Sequence, residues 1–240
     1  MCDRVEDLAT IRDSIVAAIQ NGGYAVVRGL FDESKTRESL KTVYRYANSA
    51  RHRPSSGLRP MDVRQNTSKW SIGGRASQDG VARFALAIYN PLFDSDLFQL
   101  HYAFDRIIQI RDTIAGRELL RDADLLPDRF NACRVLIYPA GGGFLGDHRD
   151  VRGQSNLPLG SYVEVLLLLT QRGIDYQTGG GVVRFKGTAL DSEAGTKRGD
   201  VIIYDASTVH GVSDIDPDVP FDASDLRGRA VAITTIYDNR

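Results

Sequence analysis

Six short stretches between residues 133 and 237 are rich in β-branched and aromatic residues, and no helical period separates them. They cover 133–138, 162–170, 181–186, 200–204, 208–212 and 229–237, parted by glycine clusters and charged turns. Consecutive strands without crossover helices pair antiparallel, and several of them close into a sandwich or barrel of the jelly-roll kind. This half of the chain constrains the fold more than any other feature.

The first half reads differently. Leu8, Ile11, Ile15, Ala18 and Ile19 keep a helical period that stops at Asn21-Gly22-Gly23, and a short strand is expected over 24–29. Helices are expected over 34–50, with Leu40, Val43, Tyr44 and Ala47 on one side, and over 97–114, with Leu100, Phe104, Ile107, Ile108 and Ile110 apolar. Between them, 51–80 is polar, broken by prolines and glycines, and holds the only tryptophan, Trp70. So long a stretch without clear period reads as a lid or a disordered loop. The expected class is mainly β with α additions (α+β), a jelly-roll or cupin-like barrel with N-terminal helices packed on it. One domain suits 240 residues: 1–129 as helices and lid, 130–240 as barrel.

Composition excludes several partners. With 30 basic and 31 acidic residues the net charge is -1, which gives no general attraction to nucleic acid or anionic membrane. The longest apolar run, 165–169, is too short to span a bilayer. Two cysteines, Cys2 and Cys133, and an N-terminus without an apolar signal core fit a cytoplasmic protein. Oligomeric state is not legible.

The chemistry concentrates in His148-Arg149-Asp150 and in His210, two of only four histidines in the chain. Residues i and i+2 of an extended segment point the same way, so His148 and Asp150 can take adjacent corners of one coordination face, with His210 as the third ligand from a distant strand. Two imidazoles and one carboxylate match the facial triad of non-heme Fe(II) oxygenases. Gly141 to Gly146 formally fits G-x-G-x-x-G, but no amphipathic helix follows to present its N-terminus to a pyrophosphate. Arg229 opens the last apolar stretch; a guanidinium there can hold the distal carboxylate of a dicarboxylate bidentately.

The order H-x-D, then Gly199-Asp200 leading to His210-Gly211-Val212, then Gly228-Arg229 resembles the 2-oxoglutarate/Fe(II)-dependent dioxygenase superfamily. The resemblance covers about 130–240, and 22–29 more loosely. It implies a double-stranded β-helix in which His148, Asp150 and His210 bind Fe(II), Arg229 binds the distal carboxylate of 2-oxoglutarate, and Tyr138 also touches this co-substrate. It implies an enzyme that uses O2 to oxidise, most simply to hydroxylate, a substrate, with succinate and CO2 as co-products. A carboxylate at position 150 argues against halogenation, for which related enzymes carry a small residue there. Two departures stand out: the His210-to-Arg229 interval is long, and Val231 stands where many relatives have serine.

Competing readings stay open. The two histidines can be structural, and the triad can hold a metal other than iron. Arg227 competes with Arg229, and Tyr138 can be ordinary barrel packing. Candidate substrate contacts are Gln65, Asn66, Lys69, Trp70, Arg152, Glu164 and Arg172. Glu164 interrupts an otherwise apolar strand, and a buried carboxylate needs a partner. The polar set suits a small metabolite, such as an amino acid derivative or natural-product intermediate. The alternatives are an oxygenase acting on a protein or nucleic-acid side group and an inactive barrel that only binds.

Overall fold

A computed structural model describes residues 5–49, 53–54, 67–71, 82–119, 129–150 and 162–238. Two antiparallel-rich sheets face each other. The larger contains, in spatial order, β1 (Ala25–Val27), β11 (Val201–Asp205), β8 (Val163–Leu168), β13 (Gly228–Asp238), β6 (Arg129–Pro139), β5 (Ala85–Tyr89), β3 (Thr67–Ser71) and β2 (Arg53–Pro54). The smaller contains β10 (Thr188–Asp191), β9 (Gly180–Phe185), β12 (His210–Ile215), β7 (Gly143–His148) and β4 (Ala82–Arg83). The helices are α1 (Val5–Gly22), α2 (Glu33–Ser49) and α3 (His101–Ile114), with α1 and α3 packed on the larger sheet. The architecture is the expected jelly-roll sandwich with helices.

Alternation explains how one sheet serves two cores. Along β8, Val163, Val165 and Leu167 join Phe104, Ile107 and Ile108 of α3 in the core beneath the helices. Leu166 and Leu168 point the other way, into the barrel with Ile202, Tyr204, Val231 and Ile233. Each such fully buried aliphatic side chain stabilises the fold by about 1.5–3 kcal/mol. β13 and β6 pair over their whole length, from Gly228 opposite Pro139 to Asp238 opposite Arg129, and form the spine of the larger sheet.

Local chemistry sets the ends. Gly23, at φ +84°, closes α1 by donating its N–H to the Ile19 carbonyl at 2.8 Å. Asp32 caps α2 through the Lys35 N–H at 2.8 Å. The third helix starts later than its apolar pattern, at His101, because Gln99 adopts φ +56° and Asp96 receives the Leu100 N–H at 3.0 Å. The glycine run divides into a tight turn at 140–142 and the strand β7, which holds Gly143 and Gly146. Gly143 is needed there, since a Cβ would come within 2.6 Å of the Pro139 carbonyl oxygen. In the segment read as a lid, β2 and β3 add to the larger sheet, and the rest lies outside the described residues. Among the described residues, no helix is long and apolar enough to cross a membrane.

Candidate metal centre and its cavity

His148 ends β7, His210 begins β12, and the two are direct partners across that antiparallel pair. Their rings lie 4.3 Å apart between centroids. Asp150 follows just past the strand, held by its N–H to the Ala206 carbonyl at 3.2 Å. Its carboxylate meets His148 Nε2 at 3.5 Å and His210 Nε2 at 3.2 Å. One donor atom from each of the three residues lies within 4.8 Å of the others, as a single ion requires.

The backbone also sets the tautomers. His148 Nδ1 lies 2.9 Å from the Gly146 carbonyl and His210 Nδ1 lies 3.0 Å from the Thr208 carbonyl. A carbonyl only accepts, so both Nδ1 atoms carry a proton and both Nε2 atoms are turned to Asp150, donating to its carboxylate while protonated and offering lone pairs to an ion once that proton leaves. The turn before His210 is fixed by Asp205, whose carboxylate accepts the Ser207 N–H at 2.9 Å. Burial works against the Asp150 charge, but hydrogen bonds from both histidines outweigh it and hold this carboxyl well below the usual range. A nitrogen–oxygen donor set of this kind suits Fe(II), whereas structural zinc favours thiolates and calcium an all-oxygen cage.

A cavity of about 80 Å³ opens from the triad into the barrel, room for several waters rather than a packing void. Arg229 and Tyr138, partners across β13 and β6, line it together with the triad and Tyr204. The Arg229 guanidinium lies 5.4 Å from the Tyr138 ring centroid. Its Nε donates to Glu193 Oε1 at 2.6 Å, so the terminal amino groups are the part of the fork left for an acceptor in the cavity. Burial keeps the Tyr138 and Tyr204 hydroxyls protonated, as donors. Arg227 is placed otherwise: its side chain is 79% exposed and paired with Asp225.

The remaining candidates are scattered. Glu164 is buried, opposite Tyr204 across the β8–β11 pair, and its strand neighbour Leu166 lines the cavity. Burial, reinforced by the Asp150 charge, pushes its carboxyl up to about 8 against the opposing pull of Arg134 and Arg111. Arg172 does not line the cavity; it grips Asp191 bidentately at 2.5 and 2.7 Å. Trp70 and Lys69 lie on β3 with Trp70 opposite Leu86, while Gln65, Asn66 and Arg152 fall outside the described residues.

Sequence reasoning missed Glu193, Tyr176 and Tyr204. Glu193 sits in the turn after β10, neutralises Arg229 and also accepts the Tyr176 hydroxyl. No periodicity marks a turn residue; the only available signal was that a buried arginine demands a counter-charge. The Gly199-Asp200 pair proves structural. Asp200 receives the N–H groups of Gly29 and Lys197, both at 2.8 Å, and ties the β1 segment to β11.

No family model matches the sequence, and no curated protein matches it. Similarity appears among solved structures. A Pseudomonas putida prolyl-4-hydroxylase superposes with a TM-score of 0.57 at 14% identity, covering 95% of this chain and 99% of its own. A prolyl hydroxylase from Trichoplax adhaerens, solved with a hypoxia inducible factor peptide fragment, gives 0.57 at 14% identity over 98% and 92%. The non-heme alpha ketoglutarate dependent epimerase SnoN from nogalamycin biosynthesis gives 0.56 at 15% identity over 95% and 83%. This chain therefore has the fold that its sequence resemblance implied, the one shared by these two prolyl hydroxylases and this epimerase.

Proposed function

We propose that this protein is an Fe(II)- and 2-oxoglutarate-dependent oxygenase that oxidises, most simply by hydroxylation, a small polar metabolite. One observation carries the reading: two imidazoles, tautomerically fixed by backbone carbonyls, converge with one carboxylate at the mouth of a cavity that Arg229 also lines. Here His148, Asp150 and His210 hold Fe(II). Arg229 receives the distal carboxylate of 2-oxoglutarate through its terminal amino groups, and the Tyr138 hydroxyl donates beside it. The bound metal, with 2-oxoglutarate and O2, supplies the power to oxidise an unactivated carbon, releasing succinate and CO2.

The chain supplies placement. Leu136, Leu145 and Val212 line the cavity and exclude bulk water, so the charge-assisted bonds inside act at low dielectric. The protonated Nδ1 atoms direct both lone pairs to one point and prevent ring rotation. A peptide side chain is the second reading, favoured by the fold shared with a prolyl hydroxylase solved with a peptide fragment. Anaerobic titration of metal-free protein with Fe(II) and then 2-oxoglutarate tests the reading. The expected result is a visible metal-to-ligand charge-transfer band that is absent in His148→Ala and Arg229→Ala. A folded wild type without the band refutes it, and succinate release across metabolite and peptide panels separates the two substrate classes.

A further inference from the structure

Glu164 is the one charged residue of β8, a strand whose other members are all buried and aliphatic. It is 1% exposed, and among the described residues neither carboxylate oxygen has a hydrogen-bond partner. Strand alternation puts it on the face of Leu166 and Leu168, toward the barrel interior. Its cross-strand partner Tyr204 holds its ring 4.6 Å from that of His210, tilted by 41°, which sets Glu164 one side chain away from the metal ligands. On the other flank, the β13–β8 register sets Val231 opposite Leu168 and Ile233 opposite Leu166, and alternation makes Thr235 the next residue of β13 on that face. The Thr235 hydroxyl oxygen is likewise buried without a partner among the described residues.

A lone buried carboxylate costs several kcal/mol and persists only where something repays that cost. Two unpartnered carboxylate oxygens, with an unpartnered hydroxyl on the same face, form an acceptor site that matches a donor-only cation once the carboxyl gives up its proton. We propose that Glu164, with Thr235, recognises a basic group on the substrate, a primary ammonium or a guanidinium, and so selects cationic metabolites for oxidation at the adjacent centre. This rests on the oxygenase reading for the metal centre and adds the substrate class.

The test is calorimetric titration of n-pentylamine against n-pentanol, and of butylguanidine against butylurea. Wild type and Glu164→Gln are compared, each with and without Fe(II) and 2-oxoglutarate under nitrogen. The expected result is binding of a basic member at least about tenfold tighter than its neutral counterpart, a preference lost in Glu164→Gln. The variant is also expected to melt no lower than the wild type, because the buried carboxyl has no hydrogen-bond partner to lose. The proposal is overturned if no basic member binds, if neutral counterparts bind as well, if Glu164→Gln binds unchanged, or if Glu164→Gln melts lower, which means the carboxylate is satisfied within the protein. Cation selectivity without the charge-transfer band leaves the Glu164 site standing and removes the oxygenase. The band without selectivity does the reverse.

Discussion

Arg229 and Glu193 form a sealed ion pair: their side chains are 3% and 2% exposed, and Nε meets Oε1 at 2.6 Å. The pair fixes the fork of Arg229 against the barrel wall and cancels its charge in the absence of any other anion. Tyr176 braces the far carboxylate oxygen of Glu193, so the guanidinium is held by a chain of three side chains.

Breaking that pair leaves a buried cation uncompensated. Glu193→Gln should destabilise the fold by about 3–5 kcal/mol, the cost found when one partner of a buried pair is removed. A dicarboxylate docking on Arg229 restores the missing charge. Added 2-oxoglutarate should therefore raise the Tm of Glu193→Gln more than that of the wild type, and should do nothing for Arg229→Met. Equal stabilisation of all three proteins means that the co-substrate does not reach Arg229.

The triad makes a separate prediction about metal. Only the native state gathers His148, Asp150 and His210 within 4.8 Å, so Fe(II) binds the folded protein preferentially. At a hundredfold excess over its Kd the ion should add about 2.7 kcal/mol of stability, visible as a Tm rise that chelation reverses. In Asp150→Ala and His210→Ala this rise should vanish. A rise that survives both substitutions places the ion elsewhere.

The readable parts of this chain are those where side-chain period and backbone agree. β6 and β13 are turn-bounded runs rich in β-branched and aromatic residues, and α1 carries its apolar stripe up to a glycine stop, so all three were legible. β7 was not, because Gly143 and Gly146 give a strand no hydrophobic signature; its glycine content reflects close backbone approach, which only the folded hairpin reveals. The start of α3 was displaced because Phe98 and Leu100 are buried, and Leu97 partly so, without being helical, and the positive φ of Gln99 leaves no trace in hydrophobicity. In the site, the ligands could be found since their chemistry is rare and their spacing short. Glu193 could not, since a turn glutamate resembles any solvated one until its arginine is placed beside it.

Gly199 tests the reading of the Gly199-Asp200 pair as scaffold. It adopts φ +88°, and a Cβ would lie 2.4 Å from the Phe31 carbonyl oxygen, whose own N–H donates to the Gly199 carbonyl at 3.1 Å. Gly199→Ala should cost about 1–3 kcal/mol through backbone strain and the displaced β1 segment. Urea unfolding should show the loss, whereas Fe(II) affinity per folded molecule should stay unchanged. Weakened metal binding in a stably folded variant contradicts the scaffold role.

The burial of Glu164 predicts how stability depends on pH. In the unfolded chain its carboxyl titrates near the ordinary glutamate value of about 4.3, while in the native barrel burial and the Asp150 charge push it up to about 8. Between those values the native state keeps a proton that the unfolded chain has released. Native stability from this group is therefore present at low pH and is lost as pH rises, by up to about 1.4 kcal/mol for each pH unit. Glu164→Gln carries no such proton. Urea unfolding of metal-free wild type and variant at successive pH values should give a difference that grows in the variant's favour from pH about 5 to about 8 and then levels off. Arg134 and Arg111 act in the opposite sense and set where the levelling begins. Parallel stability curves for the two proteins mean that Glu164 titrates as an ordinary, solvated carboxylate, and overturn the prediction.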